Sequence, residues 1–143
     1  MLVALAGCTG MDIAPLFRKM RVRFESLSID VTAGTSEGIP MIYTDFHITY
    51  HVTGNPDDSA KMLKAVRMSQ ETYCGVSFMM KKIAPVTWQI ILNGIPLNAD
   101  SADNNEPGLL HGWIKNFIFV RSFRKRYYIK ISIKFYYHFN IIN

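Results

Sequence analysis

Ile42-Tyr-Thr-Asp-Phe-His-Ile-Thr-Tyr-His-Val-Thr53 alternates apolar and polar residues with a period of two. Successive side chains of an extended chain point to opposite faces. Phe46, Ile48, Tyr50 and Val52 therefore share one face, and Asp45, His47, Thr49 and His51 share the other. A strand patterned this way has one packed side and one wet side. Phe24–Ala33, in which Leu27, Ile29 and Val31 alternate with polar neighbours, is the natural partner, and Gly34-Thr-Ser-Glu-Gly38 supplies the turn of a hairpin.

Helical patterns flank this hairpin. Leu2 to Met20 places Leu5, Cys8, Asp12, Leu16 and Lys19 on one stripe, with Ala4, Met11 and Phe17 near it. Gly7 and Gly10 weaken the helix, and Pro15 is expected to kink it because its ring removes the bond to the Met11 carbonyl. Arg18, Lys19 and Arg21 close it at the end where the dipole favours cations. After the hairpin, Gly54-Asn-Pro-Asp-Asp58 breaks the strand and Asp58 or Ser59 caps a helix over Ala60–Thr72. Tyr73-Cys74-Gly75 interrupts that helix, Val76–Ile83 resumes it, and Pro85 ends it. Val86–Leu92 is a further strand, with Val86, Trp88, Ile90 and Leu92 on one side. The methionines, Met62, Met68, Met79 and Met80 among them, read as helix core filler. The fold class expected is α+β.

The 143 residues are enough for one domain with a modest core. With 49% hydrophobic and 19% charged residues the chain is not wholly disordered. No apolar stretch reaches the roughly 18 residues of a membrane span, and two cysteines are too few for a secreted disulfide scaffold. The composition points to a soluble, cytoplasmic domain without a membrane partner.

Charge divides the chain unevenly. Residues 109–143 hold seven basic residues (Lys115, Arg121, Arg124, Lys125, Arg126, Lys130 and Lys134) and no acidic one, so the net charge of +5 belongs to this end. Phe, Ile, Lys, Asn and Tyr fill 23 of positions 114–143 but only 22 of the first 93, all of them types with codons poor in G and C. The expected organisation is a core domain over 1–93, a polar linker over 94–108, and a basic aromatic tail over 109–143. The tail reads as an extension from readthrough, a frameshift or a fragmentary gene model. Arg121-Ser-Phe-Arg-Lys-Arg126 with Tyr127 and Tyr128 has the ingredients of a phosphate-binding, base-stacking strip, but no nucleic-acid-binding fold signature accompanies it. The alternation in Tyr128-Ile-Lys-Ile-Ser-Ile-Lys-Phe135 suits a strand or an aggregating segment.

The residues able to carry chemistry are Cys8 and Cys74, each beside a helix. Cys74 precedes the turn that opens Val76–Ile83, where the partial positive charge of a helix N-terminus favours thiolate. A thiolate attacking a peroxide becomes a sulfenic acid, which a second thiol converts to a disulfide. The alternative is a pair of inert cysteines packed as small apolar residues. A Cys₂His₂ metal site with His47 and His51 is not expected, because four residues of strand separate the two histidines by about 13 Å. They read instead as solvent-facing residues. Leu5-Ala6-Gly7-Cys8 has the form of a lipoprotein processing site, but no basic n-region or apolar leader of sufficient length precedes it. No cofactor site is evident.

Leu2-Val-Ala-Leu-Ala-Gly-Cys8-Thr9-Gly-Met-Asp12, running into Leu16-Phe-Arg-Lys-Met-Arg21, resembles the central helix of the OsmC-like proteins, which include the organic hydroperoxide resistance proteins. Ala65-Val66 through Ser69, then Tyr73-Cys74-Gly-Val76-Ser77 and Met80, is similar to their second helix and its Tyr-Cys-x-Val-Ser segment. The resemblance covers about residues 1–93. It implies an intertwined homodimer with antiparallel sheet around central helices, and thiol-dependent reduction of organic hydroperoxides at the expense of a dithiol reductant. By motif, Cys8 is the attacking (peroxidatic) sulfur and Cys74 the resolving one. The alternative is a catalytically silent member that binds a small apolar ligand at the dimer interface. Family members carry strands before the first motif, with an Arg and a Glu that organise the attacking cysteine. The chain starts seven residues before Cys8, so it reads as a truncated member whose sheet has unpaired edges. Arg18, Arg21 and Arg23 follow the cysteine and match nothing in that motif, and Gly75 stands where many relatives have Pro.

Overall fold

The computed structural model describes residues 1–97 and 128–136. It begins with helix α1 (Leu2–Lys19), then strands β1 (Phe24–Thr35) and β2 (Tyr43–Gly54). A 3₁₀ turn (Pro56–Asp58) leads into α2 (Ser59–Met68), a π-helical turn (Ser69–Tyr73) and the short α3 (Gly75–Lys81). Strands β3 (Val86–Leu92), β4 (Ile95–Leu97) and β5 (Tyr128–Tyr136) complete one five-stranded sheet in the order β4-β3-β2-β1-β5.

The expected hairpin is present. β1 and β2 pair antiparallel with Ile29 opposite Tyr50 and Val31 opposite Ile48. Leu27, Ile29, Val31, Phe46, Ile48, Tyr50 and Val52 are all buried, as the alternation requires. Gly54 sits where the hairpin's open end approaches itself. A Cβ there would lie 2.5 Å from the Arg23 carbonyl oxygen and 2.9 Å from Phe24 Cα, so only glycine fits. The sheet is mostly antiparallel rather than wholly so. β3 runs parallel to β2, because the helical segment between them carries the chain back to the end where β2 began.

Three other expectations change. α1 runs unbroken through Pro15, and its buried stripe is Leu2, Leu5, Ala6, Thr9, Ile13 and Phe17, rotated from the one the spacing suggests. Cys8 and Asp12 thereby lie at the stripe's edge, while Lys19 is exposed. α1 ends in a Schellman pattern: Val22 N–H donates to the Phe17 carbonyl at 2.9 Å and Arg21 N–H to the Arg18 carbonyl at 3.0 Å, with Arg21 in the left-handed region at φ 55°. Asp58 stands at the N-cap of α2 but caps nothing. Its carboxylate instead accepts from Lys61 Nζ at 2.7 Å and from the Arg23 backbone N–H at 3.1 Å, which hold it well below the ordinary carboxylate range, at about 2.

Residues 94–97 do not open a linker. Asn93 (φ 50°) and Gly94 (φ 84°) make a tight turn that returns β4 along β3. Tyr128-Ile-Lys-Ile-Ser-Ile-Lys-Phe135 is a strand: it belongs to β5, which pairs with β1 and covers the edge expected to be open there. Ile131 and Ile133 pack against the core, and Lys130 reaches Asp30 at 2.9 Å. The remainder of the expected linker and tail, with the Arg121–Arg126 strip, lies outside the described residues.

Candidate functional site: a dithiol beside a carboxylate

α1 lies on the apolar face of the sheet and touches α2, the π-helical turn and α3. Cys8 and Asp12 are one helical turn apart and so lie on the same side of α1. Cys74 comes from the other direction, as the residue that opens α3. One ligand atom from each (two sulfurs and a carboxylate oxygen) lies within 4.8 Å of the others. The two cysteines, 66 positions apart in sequence, are thus brought together, and both are free thiols. Cys8 is half-buried and Cys74 is 2% exposed. Asp12 is the member that sequence reasoning passed over, although it shared a stripe with Cys8.

Beneath this cluster lies a buried polar network. Gln70 Nε2 donates to Tyr50 OH at 2.7 Å and to Thr9 Oγ1 at 3.1 Å. Thr9 Oγ1 is 2.7 Å from Tyr50 OH and 3.2 Å from Ser69 Oγ. Ser69 Oγ donates to Asp12 Oδ2 at 3.2 Å. An amide nitrogen only donates and a carboxylate only accepts, so a single orientation serves every contact. Protons point from Gln70 to Tyr50, Tyr50 to Thr9, Thr9 to Ser69, and Ser69 to Asp12. On the other side Ser77 Oγ donates to Gln70 Oε1, and Ser77 N–H donates to Cys74 Sγ at 3.3 Å. Among the described residues no buried side-chain N or O is left without a partner. Ser69 and Gln70, adjacent in the π-helical turn, are both buried.

The electrostatics correct one expectation. Burial pushes the Cys74 thiol up, to about 12, and the neighbouring Cys8 thiol adds to the rise. The hydrogen bond from Ser77 N–H opposes burial but does not overcome it. The seven-residue α3 therefore does not make Cys74 a resting thiolate. Burial also raises Asp12, partly offset by the Ser69 hydrogen bond. Tyr50 is raised for the same reason and stays a neutral donor.

The other candidates lie elsewhere. His47 is half-buried with Nδ1 2.8 Å from Thr87 Oγ1, and burial lowers it. His51 lies 3.5 Å from Asp30. Both are on the sheet face opposite Tyr50, so neither joins the cysteines. Arg18 is ten residues along α1 from Cys8, a rise of about 15 Å. With Arg21, Val22 and Arg23 it lines an open hollow of about 270 Å³.

A helix-borne thiol facing a second thiol at the start of another helix, both on a mostly antiparallel sheet, defines an α+β dithiol protein. The chain belongs to the OsmC-like protein family, whose pattern matches residues 1–89. It is similar to Protein YhfA of Escherichia coli K12, at 29% identity over 86 residues, 60% of this chain and 64% of that protein. The Shigella flexneri YhfA matches to the same extent. The chain thus spans somewhat less than two thirds of the length of these relatives. A crystal structure of a hypothetical protein from Aquifex aeolicus superposes with a TM-score of 0.55 at 25% identity, over 64% of this chain and 70% of that one. A second solved structure gives 0.54 at 27% identity, over 64% and 67%. Among the described residues no helix is long and apolar enough to cross a membrane.

Proposed function

We propose that the chain reduces organic hydroperoxides through Cys8 and Cys74. Cys8, the half-exposed sulfur, attacks the terminal peroxide oxygen, releasing the alcohol and becoming a sulfenic acid. Cys74 then attacks Cys8 Sγ. A disulfide forms, water leaves, and a dithiol reductant returns both sulfurs to thiols. The observation that carries this reading is the approach of the two sulfurs to within 4.8 Å across 66 positions of sequence. A sheltered Cys74 suits the second step, because a neutral, buried thiol does not compete for the peroxide. Met11, Tyr73, Phe78 and Met79, all exposed and within five residues of a cysteine, support a homodimer in which a second copy covers this region. A reducing compartment such as the cytoplasm is where the dithiol would turn over.

The reduced chain should consume cumene hydroperoxide, and Cys8→Ser should abolish consumption. Cys74→Ser should stop after one turnover, with a sulfenic acid on Cys8 that dimedone traps. No consumption by protein with two titratable thiols would overturn the reading and leave the silent, ligand-binding family member.

A further inference from the structure

The cluster holds more than the peroxide reading uses, since two thiols and a carboxylate converge where a disulfide needs only the thiols. We propose that the reduced protein binds one thiophilic divalent cation of the zinc class through Cys8 Sγ, Cys74 Sγ and Asp12. The donors are ones that zinc accepts, at bond lengths of about 2.3 Å to sulfur and 2.0 Å to oxygen. Tetrahedral ligands at those lengths lie roughly 3.3–3.8 Å apart, so a cluster already within 4.8 Å closes on the ion by side-chain adjustment alone. Sulfur disfavours magnesium and calcium, and the carboxylate disfavours monovalent copper. Three protein ligands leave the fourth position to water.

The surroundings are those of a prepared site. Ser69 Oγ holds Asp12 Oδ2 at 3.2 Å and Ser77 N–H points at Cys74 Sγ from 3.3 Å, so two of the three donors are oriented from behind. Ser69 and Ser77 are themselves fixed by the buried Thr9 and Gln70. Half-buried Cys8 and Asp12 leave a way in for the ion, whereas Cys74 closes the floor. Binding replaces each thiol proton by a metal–sulfur bond and releases the protons to solvent. No electrons move. The site stands independently of the peroxide reading, although an occupied site would withhold both sulfurs from a peroxide.

Titration of the reduced 143-residue chain with cobalt(II) tests this. The expected result is one ion per chain, a thiolate-to-cobalt charge-transfer absorption, and displacement by equimolar zinc. Cys8→Ser and Cys74→Ser should each weaken binding at least about a hundredfold, and Asp12→Asn, of nearly the same volume, about tenfold or more. If Cys74→Ser fails to fold, the half-exposed Cys8 and Asp12 variants carry the test. Absence of the charge-transfer band with both thiols reduced, binding unchanged in Cys8→Ser, or one ion shared between two chains would overturn the three-ligand site. An unchanged affinity in Asp12→Asn would do the same.

Discussion

Two stretches of α1, beyond an apolar start at Leu2, Leu5 and Ala6 that is buried in the core, are held down by different forces. From Ile13 to Phe17 the helix is anchored by apolar packing: Ile13 and Phe17 are fully buried, and Phe17 meets Phe24 edge-on with ring centroids 5.2 Å apart. From Cys8 to Asp12 it is anchored by polar contacts, through Thr9 to Tyr50, Ser69 and Gln70. Apolar attraction is non-directional and roughly proportional to the area buried. Hydrogen bonds are directional, and these lie beside the sulfurs, where orientation matters. The stretch from Ile13 to Phe17 supports the fold, and the stretch from Cys8 to Asp12 aims the site.

This division predicts separable effects. Phe17→Ala should remove about 3–5 kcal/mol of stability by leaving a cavity against Phe24. Its denaturation midpoint should fall sharply, while the order of thiol reactivities in the remaining folded protein stays as it was. The reactivity of Cys74 should differ from an ordinary thiol by nearly as much in free energy. In the Cys8→Ser variant, its alkylation at pH 7 should be slower by roughly two to three orders of magnitude, following the loss of thiolate. The sign extends to stability. A thiol whose folded value is raised stabilises the fold fully below the unfolded value near 9. That contribution is lost as pH rises toward about 12, so a Cys74→Ala protein should show a flatter alkaline limb.

Gln70→Leu strikes the polar stretch. It leaves Tyr50 OH and Ser77 Oγ short of a partner in a buried place, a loss of about 1–3 kcal/mol. Here the alkylation rates of Cys8 and Cys74 should change as well as the melting temperature, and a change in stability alone would break the division. The smallest effect is a gain. Gly7 has nothing within 4 Å of where a Cβ would stand, so Gly7→Ala should stabilise the isolated chain by up to about 1 kcal/mol in chemical denaturation. A loss instead would contradict the open surface at Gly7.

Much of the sheet could be read directly. The strict alternation from Phe46 to Val52 put the right side chains inside, because a strand has only two faces and a one-residue error would reverse them all. β4 carried a signal too, in Asn93-Gly94 between apolar runs, where both residues take positive φ. The helix stripe was harder. At 3.6 residues per turn Cys8 and Thr9 lie about 100° apart, so either could border a broad stripe, and only the sheet beneath decided that Thr9 turns inward and Cys8 to the edge. Nor could the spacing of Ser69 and Gln70 show that both are buried in one polar network with Thr9 and Tyr50.

The sequence by itself determined α1, the β1–β2 hairpin, α3 and β3, the two thiols and, through their flanking residues, the family, since periodicity and local motifs are written in consecutive residues. Only the tertiary structure decided that Asp12 joins the thiols, that Cys74 rests protonated despite opening a helix, and that β5 closes the edge of β1. Each of those depends on the local dielectric or on pairing between residues remote in the chain. Both are properties of the packed molecule rather than of any stretch of it.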